Sequence, residues 1–486
     1  MKKWIVVCAA LMFVGLCRAQ SPVIGEASKL EEAGRFKEAG ELLQRALSDK
    51  NSLQTEAEKK TLAFEIDRLK RIKMDYSVTE DRLYSILEKA VRGITREEFE
   101  KWIQEGRFDS RTIDGMVYYV GTSRSNLFWR YPDAAARRIS PPDESKFERA
   151  VWENCRAIED AAGKLHQPYV LPKNFKVVMK VKAKPNAAPE GEIMRAWLPV
   201  PKQFPFQTAF RMIVASPAEH SVDDENSSIR SVYMEQSAVK DKPTEFRIEY
   251  NYTHQGIFFD LQPDRVQPYG ELDPSISEFT KEGPHVVFTE KIRQLSHQLA
   301  GKEPNPLLKA RSFYDWITSN IKYSYALEYS TIRNISDYCL TNMYGDCGQE
   351  ALLFMTLCRW NGIPARWQSG WFTFPGGKTI HDWTEIYLKP YGWIPVDPYM
   401  GIFAVRYLKS LGPDEKEQVR KFYFGGLDQY RISANSDHSQ TLNPPKHSMR
   451  SDNVDFQRGE LEYGDTNIYF DQYSFDLQVE EIKATP

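Results

Sequence analysis

The strongest constraint on how this chain folds is the stretch 345–401, where one helix signal is followed by three strand signals. The apolar run 351–358 has the length and composition of a buried helix rather than of a strand. The helix is expected to end at 361–364, because glycine there suits a left-handed cap and proline cannot continue a helix. Residues 365–374, 381–388 and 393–398 have strand character and are separated by turns that contain glycine and proline.

Three polar residues within this stretch suggest a chemical site. Cys347 directly precedes the apolar run and is expected at a helix N-terminus, where unpaired N–H groups and the helix dipole favour a thiolate. A thiol so placed, with an imidazolium beside it, has its pKa lowered from about 8.5 to between roughly 3.5 and 7.5. His381 lies in the second strand signal and Asp397 in the third. Since 381 and 397 have the same parity, a hairpin loop with an odd number of residues puts both side chains on one face.

In this arrangement Cys347 would attack a carbonyl carbon, His381 would take up and return the proton, and Asp397 would orient the imidazole. The backbone N–H of Cys347 would donate to the oxyanion, and Tyr338 is a candidate for a second donor. Each residue alone has an ordinary explanation, namely a buried cysteine, a satisfied histidine and an Asp-Pro turn. The ordered set, with spacings of 34 and 16 residues, favours a thiol site.

The same blocks resemble the transglutaminase-like superfamily. The matching motifs are Gly-Asp-Cys at 345–347, Gly-Ile-Pro-Ala-Arg at 362–366, His-Asp-Trp-Thr-Glu at 381–385 and Gly-Trp-Ile-Pro-Val-Asp-Pro at 392–398. The resemblance covers about 305–401, a minority of the chain. It implies a papain-like site of Cys347, His381 and Asp397 on a helix and an antiparallel sheet. The expected fold class is therefore α+β, with a transglutaminase-like catalytic domain at 285–435 whose catalytic helix packs on that sheet.

Two further regions are expected before this core. Residues 20–170 carry helix signals and are predicted to form an N-terminal helical domain, whose first hairpin resembles a single tetratricopeptide unit. Residues 171–262 change to a period of two and are predicted to form a supporting β-sandwich. The polar stretch 433–453 is expected to be a surface loop, so 436–486 is predicted to be a C-terminal loop and strand extension.

The N-terminus has the three regions of a secretory signal peptide at 1–19, with cleavage expected after Ala19. The mature protein would be secreted or periplasmic, without an integral membrane segment, because the apolar stretch 4–16 is short for a bilayer span. Anchoring as a lipoprotein through Cys17 is the weaker alternative, since Leu16 stands where a small residue is expected. Four cysteines would remain, which is no disulfide framework, although a bridge between Cys155 and Cys339 stays open.

Composition and motif content limit the partners. A formal net charge of −3 gives no broad basic face, so nucleic acid is not expected to bind. The eight histidines show no metal-ligand spacing, and no Gly-rich phosphate loop follows a strand. The thiol chemistry requires no metal and no cofactor, and none is predicted.

The predicted function is that of a secreted peptidase or amidase that forms a thioester acyl-enzyme and passes the acyl group to water. Its substrate would be a peptide, a protein or an amide-bearing glycan. Transfer to an amine, as in a protein-glutamine γ-glutamyltransferase that crosslinks proteins, shares the first step and stays open. Hydrolysis is favoured because water needs no second binding site. The alternative from another class of protein is a non-enzymatic module that binds an envelope or glycan partner. This alternative is less favoured because a binding role would not require Cys347, His381 and Asp397 together.

Overall fold

The computed structural model describes residues 22–49 and 54–483. These residues form two compact units. The first comprises the described residues up to Thr79 together with Ser110–Tyr119, and the second comprises Glu80–Asp109 and the chain from Val120 onwards. The predicted signal peptide at 1–19 lies outside the described residues.

The first unit contains a helical hairpin, a longer helix and a small sheet. The elements are α1 (Pro22–Glu32), α2 (Phe36–Ser48), α3 (Glu56–Asp75), β1 (Tyr76–Val78), β2 (Ser110–Ile113) and β3 (Met116–Val120). The strands lie in the order β1-β3-β2. Within the unit, the guanidinium of Arg68 is buried between the carboxylates of Glu31 and Glu65. The sequence predicted helices here but not this sheet, whose strands of three to five residues are too short to show a period of two.

The second unit contains the remaining elements. Its helices are α4 (Glu80–Glu88), α5 (Arg96–Gln104), α6 (Ser123–Arg130), α7 (Pro132–Ala136), α8 (Ser145–Leu165), α9 (Pro274–Ser277), α10 (Glu290–Ala300), α11 (Pro306–Asn320), α12 (Ile335–Asn342), α13 (Cys347–Trp360), α14 (Pro398–Arg406) and α15 (Pro413–Phe422). Its strands are β4 (Tyr169–Ala183), β5 (Ile193–Pro199), β6 (Gln207–Ser216), β7 (His220–Val222), β8 (Ser231–Ser237), β9 (Thr244–Phe258), β10 (Lys322–Tyr323), β11 (Tyr344–Gly345), β12 (Ala365–Phe372), β13 (Thr379–Leu388), β14 (Gly392–Val396), β15 (Gly426–Leu427), β16 (Arg431–Asn435), β17 (Glu460–Tyr463), β18 (Thr466–Ile468) and β19 (Tyr473–Ile482).

The alternating pattern at 171–262 produces the predicted β-sandwich. One sheet has the order β15-β9-β4-β19 with β6 also on β9, and the other has the order β18-β17-β5-β8-β7. β4 and β9 pair antiparallel along most of their length. Every second side chain of β4, from Phe175 to Val181, is buried between the sheets, as the period of two requires.

The C-terminal strands correct the predicted extension at 436–486. β19 pairs with β4 over its full length, and β17 pairs with β5, so both strands belong to the sandwich. The preceding polar stretch is not a surface loop throughout, because His438, Leu442 and Ser451 are buried. The sequence missed this placement because strand pairing across hundreds of residues leaves no local pattern.

The boundary at residue 170 also changes. Helix α8, predicted to belong to the N-terminal helical domain, lies in the second unit. Its apolar face, with Val151, Cys155 and Ile158, is buried in one cluster with Phe372 of β12 and Phe403 of α14. An amphipathic helix shows in sequence which face it buries but not against which element, so only the folded chain assigns it.

The predicted catalytic core is built on a four-stranded antiparallel sheet in the order β14-β13-β12-β16. Helix α13 carries the apolar run 351–358, whose side chains are all fully buried. Helices α10 and α11 fill the same apolar cluster. The predicted α+β class, with a buried helix against an antiparallel sheet and a sandwich before it, is confirmed.

Candidate active site

Cys347 is the first residue of α13, as the sequence predicted. Asp346 caps the helix through a reciprocal pair of hydrogen bonds with Gln349, at 3.1 Å from Gln349 N to Asp346 Oδ1 and 3.3 Å from Asp346 N to Gln349 Oε1. The next residue, Gly348, lies where there is no room for a side chain. A Cβ there would lie 2.1 Å from the Tyr329 hydroxyl and 2.7 Å from Asp382 Oδ2. The helix start can therefore approach β13 closely.

His381 and Asp397 meet as the parity argument predicted. In the β13–β14 hairpin Leu388 pairs with Gly392, which leaves an odd loop of three residues. His381 Nε2 lies 2.7 Å from Asp397 Oδ2, and both side chains are almost completely buried. Asp397 is further fixed because it caps α14, where Met400 N donates to its Oδ1 at 3.0 Å.

Arg431 is a third residue in contact with the His381–Asp397 pair, and the sequence analysis did not predict it. Its Nη1 donates to Asp397 Oδ2 at 2.9 Å, while its Nε and Nη2 donate to Asp428 Oδ2 at 3.0 and 2.9 Å. Arg431 begins β16, the edge strand next to β12. The guanidinium also lies 5.3 Å from the ring centroid of Trp383. Arg431 lies on the edge strand of the sheet and belongs to no local sequence motif. Its contact with Asp397 therefore could not be predicted from the sequence.

Charge and burial fix the protonation states of the His381–Asp397 pair. Burial lowers the pKa of His381 below its ordinary value, although Asp397 acts in the opposite direction. Burial tends to raise the pKa of Asp397, but His381 and Arg431 together hold that pKa below its usual value. The resting pair is therefore a neutral imidazole beside an ionised carboxylate, the combination that a general base requires.

The thiol of Cys347 does not have the lowered pKa that its position at a helix N-terminus predicted. The side chain is only 9% exposed. Burial, followed by the carboxyl groups of Asp382 and Asp346, raises the pKa of the thiol well above its ordinary value. The Cys347 Sγ lies 3.5 Å from Asp382 Oδ2, so its hydrogen bond goes to the residue after His381 rather than to His381 itself. The pKa of the thiol is therefore raised by burial and by two nearby acids, although Cys347 lies at a helix N-terminus.

Three tyrosines surround the thiol. Burial is the largest cause that raises the pKa values of Tyr323, Tyr329 and Tyr399 well above their ordinary value, and each of the three also interacts electrostatically with Cys347. The Tyr399 ring also lies 5.3 Å from the His381 ring. Tyr338, the predicted second oxyanion donor, interacts with the hydroxyl of Tyr344, and its role as a donor stays a prediction.

An aromatic wall leads from these tyrosines to a cavity. The ring of Tyr323 lies 5.6 Å from that of Tyr325 and 4.8 Å from that of Trp129. Both partners line a cavity of about 550 Å³. Arg138 and Lys409 contribute cations to its lining. The lining combines aromatic side chains with many polar and charged ones of both signs, among them Glu144 and Glu148.

All four cysteines in the described residues are free thiols, so the bridge that the sequence left open between Cys155 and Cys339 is not formed. Over the ranges 22–49 and 54–483, no group of three or more His, Cys, Asp and Glu side chains has the geometry to hold a metal ion. No helix in the same ranges is long and apolar enough to cross a membrane.

Comparison with known proteins agrees with this architecture. The family model of the transglutaminase-like superfamily matches residues 293–398, so the chain carries a transglutaminase-like core. An uncharacterized protein of Haemophilus influenzae is 24% identical over 224 residues, which are 41% of this chain and 60% of the relative. The chain thus spans about 60% of that relative's length.

Two solved structures are similar to this chain at lower sequence identity. One, named "Putative Cysteine Protease from Cytophaga hutchinsonii", has a TM-score of 0.43 and 18% identity, covering 65% of this chain and 93% of the other. The periplasmic domain of TgpA from Pseudomonas aeruginosa has a TM-score of 0.26 and 15% identity, covering 56% of this chain and 95% of the other. At these values the similarity carries no information about what this chain acts on.

Proposed function

We propose that this protein is a thiol-dependent acyl-transfer enzyme in which Cys347 is the nucleophile, His381 the general base and Asp397 the orienting carboxylate. The observation that carries the proposal is the buried 2.7 Å contact between His381 Nε2 and Asp397 Oδ2 beside the helix that begins with Cys347. This contact uses one imidazole nitrogen and leaves Nδ1 without a hydrogen bond to any described residue. Nδ1 is thus the nitrogen available to accept the thiol proton.

The acylation step follows from these roles. A rotation of the Cys347 side chain brings Sγ from Asp382 towards His381, whose Nδ1 takes the proton while Sγ bonds to the carbonyl carbon of an amide. The N–H of Cys347, one of the donors left unpaired at a helix start, faces the oxyanion that forms. The C–N bond then breaks, and the amine leaves with the proton from His381.

Deacylation repeats the steps with water. His381 removes a proton from water, the hydroxide oxygen bonds to the thioester carbon, and the C–S bond breaks with return of the proton to Cys347. The Asp397 carboxylate stabilises the imidazolium that exists in both halves of the reaction. Arg431 keeps this carboxylate ionised and in place. The products are a carboxylic acid and an amine, so the reaction is hydrolysis of a peptide or another amide.

The substrate class and the location belong to the same proposal. The cavity lined by Trp129 and Tyr325 has room for several residues of a peptide or for an amide-bearing glycan. Water is the acceptor in this proposal, since it reaches the thioester without a dedicated site. Secretion into the periplasm or the medium would follow from cleavage of the signal peptide after Ala19, which N-terminal sequencing of the mature protein tests.

The test is to trap the acyl-enzyme. The full mature chain is mixed with a library of peptide amides and quenched in acid, and its intact mass is measured with and without glycylglycine as an added amine. A mass increase on Cys347 that decays to a free acid supports the hydrolase, and decay to an amide of glycylglycine would show a transferase instead. Cys347→Ala should lose the adduct and all turnover, whereas Cys358→Ala should keep both. Turnover by a folded Cys347→Ala protein would refute the thiol mechanism and leave the binding-module alternative.

A further inference from the structure

The cavity of about 550 Å³ beside Tyr325 carries charged side chains that the mechanism above does not use. Its cations are Arg124 of α6, Arg138 after α7 and Lys409 after α14. Within the described part of the chain, none of these three charged groups has a hydrogen bond or an ion pair with another residue. The guanidinium of Arg138 lies 5.2 Å from the ring centroid of Phe128. The N–H donors of the three cations therefore remain available to a ligand.

The acids of the same lining are mostly engaged. Glu148 of α8 accepts from the N–H and the hydroxyl of Ser410 at 2.6 and 2.7 Å. Asp143 accepts from the N–H and the hydroxyl of Ser145 at 3.1 and 2.7 Å. Glu144 is the third acid. The formal charges of the lining therefore balance, but the two signs differ in what they offer, because all three cations keep their donors and two of the three acids already accept hydrogen bonds.

Glu144 does not form a close ion pair with these cations. Arg138 and Lys409 act to lower its pKa, but burial and the neighbouring Glu148 raise that pKa above its ordinary value. Its carboxylate has no hydrogen bond to another residue in the part of the chain that the structure describes. The cations thus lack the short, paired contacts that a guanidinium makes with a carboxylate of matching geometry.

Hydrogen bonds between distant segments hold the walls of the cavity. Asn126 Nδ2 donates to Tyr325 O at 3.2 Å, and Tyr325 N donates to Asn126 Oδ1 at 2.9 Å. The Tyr407 hydroxyl donates to Trp129 O at 2.9 Å. These bonds join α6 to the segment after β10 and to the end of α14. The cavity is therefore formed before a ligand binds, which lowers the entropic cost of binding.

A path of aromatic rings connects the cavity with the proposed catalytic residues. Ring centroids lie 5.6 Å apart for Tyr325 and Tyr323, 5.0 Å apart for Tyr323 and Tyr399, and 5.3 Å apart for Tyr399 and His381. Tyr325 itself is 46% exposed. An extended chain advances about 3.3–3.6 Å per residue. A peptide whose amide lies at Cys347 therefore reaches the cavity with a group within about five residues of that amide.

We propose that this cavity binds a carboxylate of the substrate, so that the enzyme acts on acidic peptides, with Arg138 as the main ligand and Arg124 and Lys409 beside it. The inference rests on the proposed function, because it places the substrate of the Cys347 thiol. A guanidinium presents paired N–H donors that match the two oxygens of a carboxylate, and a neutral amide cannot replace them. The carboxylate is that of an Asp or Glu side chain or of the peptide C-terminus, since both offer the same two oxygens.

The test measures binding by the full mature chain carrying Cys347→Ala, so that no turnover is required. The immobilised protein is equilibrated with random acetylated hexapeptides at millimolar total concentration, and retained peptides are sequenced by mass spectrometry. One half of the library ends in a free acid and the other half in an amide. Peptides with a carboxylate should be retained about tenfold over their Asn, Gln or amide counterparts. Enrichment in the amide half identifies a side chain, and enrichment confined to the acid half identifies the C-terminus.

Variants of the cations assign this preference to the cavity. Arg138→Gln should remove most of the tenfold preference, and Arg124→Gln and Lys409→Gln should each reduce it. Arg156→Gln, at an exposed position of α8 outside the cavity, is the matched control and should keep it. Melting temperatures check the fold of each variant. Where Arg138→Gln does not fold, the variants at the exposed positions Arg124 and Lys409 decide, and an undiminished preference in both overturns the inference.

The outcomes separate this inference from the proposed function. A preference for carboxylates that depends on the cavity cations supports the inference even where the wild-type protein forms no acyl-enzyme. Equal retention of acidic and neutral peptides, selective retention of basic ones, or no retained peptide overturns it, also where Cys347-dependent turnover is intact. A preference for carboxylates that stays unchanged in all cation variants overturns it as well.

Discussion

Arg431 Nη1 donates to the same carboxylate oxygen of Asp397 that contacts His381 Nε2, at 2.9 and 2.7 Å respectively. Arg431 and Asp397 are both fully buried. One oxygen therefore joins a cation from the edge strand β16 to an imidazole on β13. The orienting carboxylate of the proposed triad is part of a network, Asp428–Arg431–Asp397–His381, rather than of an isolated pair.

Replacing Arg431 tests this network. Arg431→Gln leaves the carboxylates of Asp397 and Asp428 buried without their cation, so we expect a loss of about 3–5 kcal/mol in the free energy of unfolding, measured by denaturant titration. Turnover should fall as well, because Asp397 would lose its ionised state. Arg96→Gln, in an exposed ion-pair cluster with Glu80, is the control and should leave the melting temperature nearly unchanged. Equal stability of the two variants would contradict the account.

Asp397→Asn tests the orientation of the imidazole. The amide cannot stabilise an imidazolium and cannot hold the tautomer that leaves Nδ1 free, so kcat should drop by roughly 10²–10⁴-fold with KM little changed. The measurement is steady-state kinetics on the amide substrate found by acyl-enzyme trapping. Asp315→Asn, whose carboxylate is 45% exposed, is the control and should keep its rate. A normal kcat in Asp397→Asn would exclude this residue from the mechanism.

Gly370 is expected to tolerate no side chain. It pairs with His381 across β12 and β13, and a Cβ there would lie 1.8 Å from the carbonyl oxygen of Ile432 in β16. Gly370→Ala must push β12 and β16 apart, so we expect a destabilisation of about 3 kcal/mol or more in thermal or denaturant unfolding. Gly163→Ala in α8, where nothing lies within 4 Å, should instead be neutral or stabilising. A Gly370→Ala protein as stable as wild type would disprove the close approach.

The buried acids of the C-terminal segment predict how stability changes with pH. Burial, followed by Asp455, raises the pKa of Asp452 to about 7. Between its ordinary value and about 7 the folded state then binds more protons than the unfolded state, so stability falls as pH rises through this window and levels off above it.

Asp452→Asn should reduce that decline. The amide oxygen can still accept the N–H groups of Val454 and Asp455, which lie 3.0 and 2.9 Å from Asp452 Oδ1. Between pH 5 and 7 we expect the variant to lose about 2 kcal/mol less than wild type, measured as the free energy of unfolding at each pH. Asp476→Asn, at an exposed position of β19, is the matched control. Parallel pH curves for wild type and Asp452→Asn would show that Asp452 is ionised in the folded state.

Much of the core was predictable because its signals are local. The cap and apolar run of α13 placed Cys347 correctly, and the parity of 381 and 397 put His381 and Asp397 on one face. The change from a helical period to a period of two at residue 171 correctly predicted the β-sandwich. The prediction of a lowered thiol pKa failed, because it considered the helix dipole and an imidazole but not burial or the acid on the next position of β13.

The sequence by itself determined the elements of the core, because helix caps, apolar periods and hairpin parity depend on neighbours within a few residues. Only the tertiary structure decided which distant residues complete the site. Arg431 lies 34 residues from Asp397, and Gln457, whose Nε2 donates to Asp382 Oδ1, lies 75 residues from Asp382. It also decided that β17 and β19 close the sandwich and that α8 belongs with the catalytic unit. The physical reason is that strand pairing, burial and the field at a thiol depend on distance in space, whatever the separation along the chain.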